Sequence, residues 1–160
     1  MKFEHLVEIN DFNNPLIAEI SREQLWTGLV MRAEMPQLFM PYIDECHITE
    51  RAELGMQRRL RYGELIVIDH VTLVHMQHVH YQVPAQNEIT ESSLKMSIEE
   101  PSPGSLFVRF EYDDGQNEEQ DTANEMLNEY RNSAYHQADI DTVSMIRELA
   151  EAGRLDALPS

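Results

Sequence analysis

The spacing of apolar residues divides the chain into three stretches of different period. Residues 3–10 alternate weakly, with Phe3, Val7 and Ile9 on one side, and predict a first strand. Asp11, Phe12, Asn13, Asn14 and Pro15 break it with turn chemistry. Ser21 followed by Gln24 is a capping-box pattern, and Leu25, Trp26, Leu29, Val30 and Ala33 recur behind it at helical spacing. Pro36 ends that helix, and a second short helix over residues 37–40 is expected before Pro41.

From Ile43 to Tyr112 the period becomes two, which predicts six strands near 43–50, 54–62, 64–74, 78–84, 92–99 and 105–113. The segment Leu60-Arg61-Tyr62-Gly63-Glu64-Leu65 reads as a tight hairpin with Gly63 at the position that needs positive φ. Pro101-Ser102-Pro103-Gly104 is another turn, and residues 84–91 form a longer polar connection. At Asn117 the pattern changes again. Glu118, Glu119 and Asp121 suit the positive end of a helix dipole, so a long C-terminal helix is expected from near residue 118. Ala123, Leu127, Tyr130, Ala134 and Ala138 share one of its faces. Beyond Ala138 the stripe drifts toward Val143, Ile146 and Ala150, and Asp139 and Asp141 offer new caps, so a kink or break is expected there. Gly153 closes the last turn.

This order predicts an α+β fold. A curved seven-stranded antiparallel sheet is closed by a long C-terminal helix, with two short helices after the first strand, in one domain over residues 1–160.

The hairpins assign faces. With Gly63 and Glu64 as the turn, Tyr62 lies opposite Leu65, Leu60 opposite Val67 and Arg58 opposite Asp69. A three-residue turn at His75-Met76-Gln77 then aligns Leu73 with Val79 and Val71 with Tyr81. The inward face therefore carries Arg58, Leu60, Tyr62, Leu65, Val67, Asp69, Val71 and Leu73, continued by Leu94, Met96, Ile98, Leu106, Val108, Phe110 and Tyr112. The outward face carries Arg59, Arg61, Glu64, His70, Thr72, His78 and His80, together with Ile66 and Ile68.

Composition narrows the partners. The 160 residues suffice for one core, and 12 Lys plus Arg against 29 Asp plus Glu give a net charge of -17. Such a surface repels phosphate backbones, which argues against nucleic acid and anionic membranes. Cys46 is the only cysteine, so no intramolecular disulfide forms and a reducing compartment is expected. The N-terminus is too polar for a signal peptide and no apolar run approaches transmembrane length, which predicts a cytoplasmic location and no membrane partner.

Three groups of side chains carry candidate chemistry. His78 and His80 have the spacing of strand metal ligands, with His70 and His75 nearby. They face outward in this register, so a solvated patch is expected, with neither metal nor other cofactor. Arg58 and Asp69 are the sharper pair. Two charges on an inward face must pair with each other or meet a polar ligand, and both readings stay open. Tyr62, Tyr81, Tyr112 and Tyr130 offer hydroxyls to the same space. Cys46 adjoins Glu45, which disfavours a thiolate. The sequence has no Ser-His-Asp order, phosphate loop or dinucleotide fingerprint.

Several runs resemble a known family. They are Asn14-Pro15 with Arg22-Glu23-Gln24-Leu25-Trp26, then Arg59-Leu60-Arg61-Tyr62-Gly63-Glu64-Leu65, then Ile98-Glu99-Glu100-Pro101 with Pro103-Gly104. The tail Ala138-Asp139-Ile140-Asp141-Thr142-Val143 with Ile146-Arg147-Glu148-Leu149 completes them. The chain is similar to the AtaL-like proteins of the START-type helix-grip superfamily, which includes lipid carriers, pollen-allergen-like binders and polyketide cyclases. The resemblance implies the same order of elements and a cavity for an apolar ligand. It transfers no catalytic residue.

The expected function is binding or transport of a small apolar or aromatic molecule. The ligand-binding residues would be Arg58, Leu60, Tyr62, Val67, Asp69, Val71, Tyr81, Met96, Val108, Phe110 and Tyr130. The alternative is a polyketide cyclase-like or hydrolase-like enzyme in the same cavity. Arg58 would then polarise a carbonyl, and Asp69 or a tyrosine would move a proton. Monomer and homodimer both remain open.

Overall fold

The computed structural model describes residues 2–115 and 125–156. Strand β1 spans Lys2–Glu8 and helix α1 spans Arg22–Glu34. The strands β2 (Glu45–Ala52), β3 (Gly55–Tyr62), β4 (Leu65–Val74), β5 (His78–Val83), β6 (Ser92–Ser102) and β7 (Ser105–Asp113) follow, and helix α2 spans Glu125–Glu151. The seven strands form one curved antiparallel sheet in the order β1-β7-β6-β5-β4-β3-β2. Six strands are thus a continuous meander, and β1 returns to pair with the last of them.

The predicted registers hold. Tyr62 pairs with Leu65, Arg58 with Asp69, Leu73 with Val79 and Val71 with Tyr81. Gly63 adopts φ 62°, as the tight turn requires. Met76 takes the same left-handed region at φ 62° in the three-residue turn, and Arg22 secures it with Nε and Nη2 donating to the Met76 carbonyl at 3.2 and 2.8 Å. Where β5 ends, the Gln86 side chain extends the ladder on β4, accepting from Ile68 N at 2.9 Å and donating to Ile68 O at 2.8 Å.

Ser21 caps α1 as the pattern predicts, and both halves of the capping box with Gln24 are present. Leu25, Trp26, Leu29 and Ala33 are buried. The expected second helix over residues 37–40 is a single 3-10 turn at Pro36–Leu38 instead. Prolines at both ends leave no room for a second turn.

The long helix differs from expectation in two ways. It runs as one helix through Asp139 and Asp141 to Glu151, so no break occurs there and neither aspartate recaps it. Its buried residues are Asn128, Asp139, Thr142, Val143, Ile146 and Leu149, while Leu127, Tyr130, Ala134 and Ala138 are exposed. The alanine stripe is therefore the outer face. The helix start and Ala123 lie outside the described residues.

The core sits where α1 and the C-terminal half of α2 cover the sheet. Leu25 and Leu29 of α1 and Ile146 and Leu149 of α2 join Val79, Met96, Val108 and Phe110 in one cluster. The helices approach so closely at Gly28 that an added Cβ would lie 2.9 Å from Ile146 Cγ1.

Candidate functional site

Beyond this apolar core, the interior becomes polar. Arg58 projects inward from the middle of β3 because, two residues from each, it shares a face with Met56 and Leu60, both buried. Asp69 stands opposite it on β4, and each is 4% exposed. Arg58 Nε donates to Asp69 Oδ1 at 2.9 Å and Nη2 donates to Oδ2 at 2.5 Å, a bidentate pair. The third nitrogen, Nη1, donates to the Ala33 carbonyl at 2.8 Å. That carbonyl belongs to the last turn of α1, where helix oxygens lack internal partners and a cation is favourable. Burial opposes the Arg58 charge, but the Asp69 bonds outweigh it and hold the guanidinium above its ordinary pKa.

A second arginine meets the same region. Arg32 of α1 is 8% exposed, and its Nε donates to Thr142 Oγ1 on α2 at 3.4 Å. Tyr81 of β5 lies close to both cations. The Arg32 and Arg58 guanidinium carbons are 5.1 and 5.0 Å from its ring centre. The Tyr81 hydroxyl is buried and, among the described residues, has no hydrogen-bond partner. Tyr62 is half-buried beside them. Burial raises its pKa, as does Tyr42, while Arg58 and Arg32 pull it down.

The polar interior continues to the far edge of the sheet. Asp139 of α2, 1% exposed, accepts from the Tyr112 hydroxyl of β7 and lies 2.7 Å from His5 Nδ1 of β1. The other His5 nitrogen is 2.9 Å from Asn132 Oδ1. Burial pushes the Asp139 carboxyl above its usual range, against the hydrogen bonds of Tyr112 and His5 and the charges of His5 and Arg32. Burial also raises the Tyr112 hydroxyl, and Asp139 adds to the shift. Tyr135 stacks on Tyr112 with ring centres 4.1 Å apart.

The sequence-predicted residues thus divide. Arg58, Asp69 and Tyr81 converge, with Leu60 and Val71 buried on the same face and Tyr62 and Val67 half-buried there. Met96, Val108 and Phe110 share that face but have essentially no surface open to a water-sized probe, so they act as packed floor. Tyr130 is 73% exposed and stands apart from the others. A cleft of about 400 Å³ opens elsewhere, between His70, Gln82, Glu91, Ser92 and Asp113.

His78 and His80 alternate with the buried Val79 and Tyr81 and so occupy the opposite, convex face. Their pKa values are lowered by burial first and then by Lys95. Among the described residues, no group of three or more His, Cys, Asp or Glu is placed to hold a metal ion. Burial raises the Cys46 thiol, which disfavours the nucleophilic thiolate.

The sequence model of the family described as AtaL, acetylaranotin biosynthesis cluster protein L, matches residues 7–153. The chain belongs to the AtaL family. No curated protein matches it by sequence. Solved structures with the same fold include the Zhui aromatase/cyclase of Streptomyces, at 15% identity and TM-score 0.62, covering 94% of this chain and 93% of that one. Ara h 8.0201 matches at 13% identity and TM-score 0.59, covering 95% and 98%. The di-domain ARO/CYC StfQ of the steffimycin biosynthetic pathway matches at 10% identity and TM-score 0.68, over 94% of this chain and 51% of that one. At these identities the likeness is one of fold, and it agrees with the helix-grip superfamily. Among the described residues, no helix is long and apolar enough to cross a membrane.

Two of the family motifs gain a physical role in this AtaL member. Glu100 accepts from Gly104 N at 2.8 Å and from Arg22 Nη1 at 3.2 Å, tying the β6–β7 turn to the start of α1. Asp139, from the C-terminal motif, anchors α2 to both strands at the sheet edge. Sequence reasoning missed Arg32, His5 and Asp139 as interior groups. Each had a signal. Arg32 lies seven residues after Leu25 and three after Leu29, on the apolar stripe. His5 shares the strand face of Phe3 and Val7, two residues from each, and Asp139 precedes Val143 and Ile146 at spacings of four and seven.

Proposed function

We propose that this AtaL-family protein binds or carries a small, largely aromatic or apolar molecule between the sheet and α2. The observation that carries this reading is the polar end of the interior. Among the described residues the buried Tyr81 hydroxyl there lacks a partner, Arg32 makes a single long hydrogen bond, and Tyr62 and Val67 are only half-buried on the same side. A packed structural core leaves few such groups, whereas ligand sites combine apolar walls with a few convergent polar groups. Fold neighbours include aromatase/cyclases, so the cyclase-like reading shares this architecture. It asks Asp69 or a tyrosine to move a proton, and both Asp69 oxygens are held by Arg58. The geometry therefore favours binding over catalysis at that pair.

Native mass spectrometry of protein isolated from its own host under non-denaturing conditions tests the proposal. A retained small-molecule adduct of one per chain, lost on denaturation, is expected. A chain that carries no adduct and binds no member of a panel of polycyclic aromatic molecules contradicts it.

A further inference from the structure

The two buried arginines at the end of α1 are not matched by two carboxylates in contact. Arg58 is committed through all three nitrogens to Asp69 and the Ala33 carbonyl. Arg32 has one long hydrogen bond, from Nε to Thr142, and among the described residues its terminal nitrogens have no acceptor and its charge has no ion-pair partner. The neighbouring carboxylate, Asp139, is taken by Tyr112 and His5. A second donor without a partner, the buried Tyr81 hydroxyl, belongs to the residue whose ring Arg32 approaches. Keeping a mostly buried guanidinium short of acceptors is costly unless water or a ligand supplies them.

We infer that Arg32 and the Tyr81 hydroxyl receive a planar carboxylate-type oxygen anion on the ligand, whose aromatic or apolar remainder lies along Tyr62 and Val67. The inference rests on the binding reading above. It adds the chemical class of ligand and moves the anchor from the sequence-predicted Arg58 to Arg32. A planar monoanion fits better than a phosphate dianion for two reasons. The guanidinium fork matches two coplanar oxygens. Among the described residues Arg32 also makes no direct ion pair, Asp139 acting on it only at longer range, so one further anion suffices in a site walled by tyrosines.

Isothermal titration of the full chain with two probes of nearly equal shape separates these claims. The probes are 2-naphthoate, which carries the anion, and 2-acetylnaphthalene, which does not. The wild type should prefer 2-naphthoate by about 10–100-fold, the usual worth of charged hydrogen bonds. Arg32→Met should erase that preference and leave 2-acetylnaphthalene binding within about threefold, and Tyr81→Phe should erode it partly. Equal affinity for both probes, or an Arg32→Met variant that keeps the preference, overturns the anion receptor and leaves the binding reading standing. Binding of neither probe by the folded wild type overturns both. The urea midpoint of the ligand-free Arg32→Met variant is the control on folding. It should equal or exceed the wild-type midpoint, and a fall as large as that of Arg58→Met would make Arg32 a structural group and overturn the inference.

Discussion

The two halves of α2 cover one sheet in opposite ways. Toward its C-terminus the helix presents Val143, Ile146 and Leu149 to α1 and the strands, at a distance set by the missing side chain of Gly28. Toward its N-terminus the same face presents Tyr135 and Asp139, which meet the polar ends of β1 and β7. The first half is held by shape, and removing atoms there costs packing. The second is held by matched polar groups, and removing one member strands its partner. The contrast repeats on a smaller scale around Tyr81, where Arg58 is fully matched and Arg32 is not. In the proposed function, stability and recognition are separated along the interior, with α1 contributing to both ends.

The sharpest way to break this comparison is at the matched charge. Arg58→Ala or Asp69→Ala should each lower the unfolding free energy by about 3–5 kcal/mol, because the survivor is left buried and unpaired. The double replacement Arg58→Met with Asp69→Leu should cost less than either single alanine change. Urea denaturation of the four proteins checks this. A double variant equal to the sum of the singles would show that the two side chains are not coupled.

At the apolar end, Ile146→Ala should lower the unfolding free energy by about 2–5 kcal/mol, through lost burial and the cavity left beside Gly28. Adding Gly28→Ala should recover part of that loss, since the new methyl enters the vacated space and alanine is the better helix residue. In the wild-type background Gly28→Ala should instead be destabilising, because Ile146 blocks the position. Stabilisation by Gly28→Ala alone would contradict the close approach.

A smaller effect should distinguish the polar half by its pH dependence. Burial raises the native Asp139 pKa above the ordinary 3.8, so the native state binds the proton more tightly than the unfolded chain. This contribution to stability is fully present below the ordinary value and is lost as pH rises through the raised native one. Asp139→Asn removes the dependence. Measured as the difference in unfolding free energy between wild type and Asp139→Asn, the wild-type advantage should shrink with rising pH. Repeating the pair in a His5→Gln background removes the imidazole from the comparison, since it touches the same carboxylate. A difference that grows with pH would reverse the assignment.

The legibility of the sequence followed the same division. Strands could be read because a period of two, pinned by Gly63-Glu64, fixes every side chain in a hairpin at once. The Arg58–Asp69 contact followed from that register alone. The helix face was misread because Ala134 and Ala138 are apolar enough to mimic a buried stripe, whereas the residues that face inward are polar. Asp139 resembled a helix cap for the same reason, since capping and a buried hydrogen-bond network both use aspartate. Arg32 sat on a legible stripe, but nothing local reveals that Asp69 would be spent on Arg58 and that Thr142, more than a hundred residues away, would be its nearest acceptor. That fact depends on which elements the fold brings together.

The central claim is that two arginines beside one tyrosine ring have different tasks, Arg58 holding the fold and Arg32 awaiting a ligand. The most direct test is to follow the Nε–H signals of both arginines by 15N NMR while 2-naphthoate is added to the full chain, with assignments from Arg32→Lys and Arg58→Lys. The account predicts a saturable shift of the Arg32 signal, while Arg58 Nε, locked on Asp69, stays nearly fixed. A shift confined to Arg58, or to surface arginines such as Arg51 and Arg61, would contradict it.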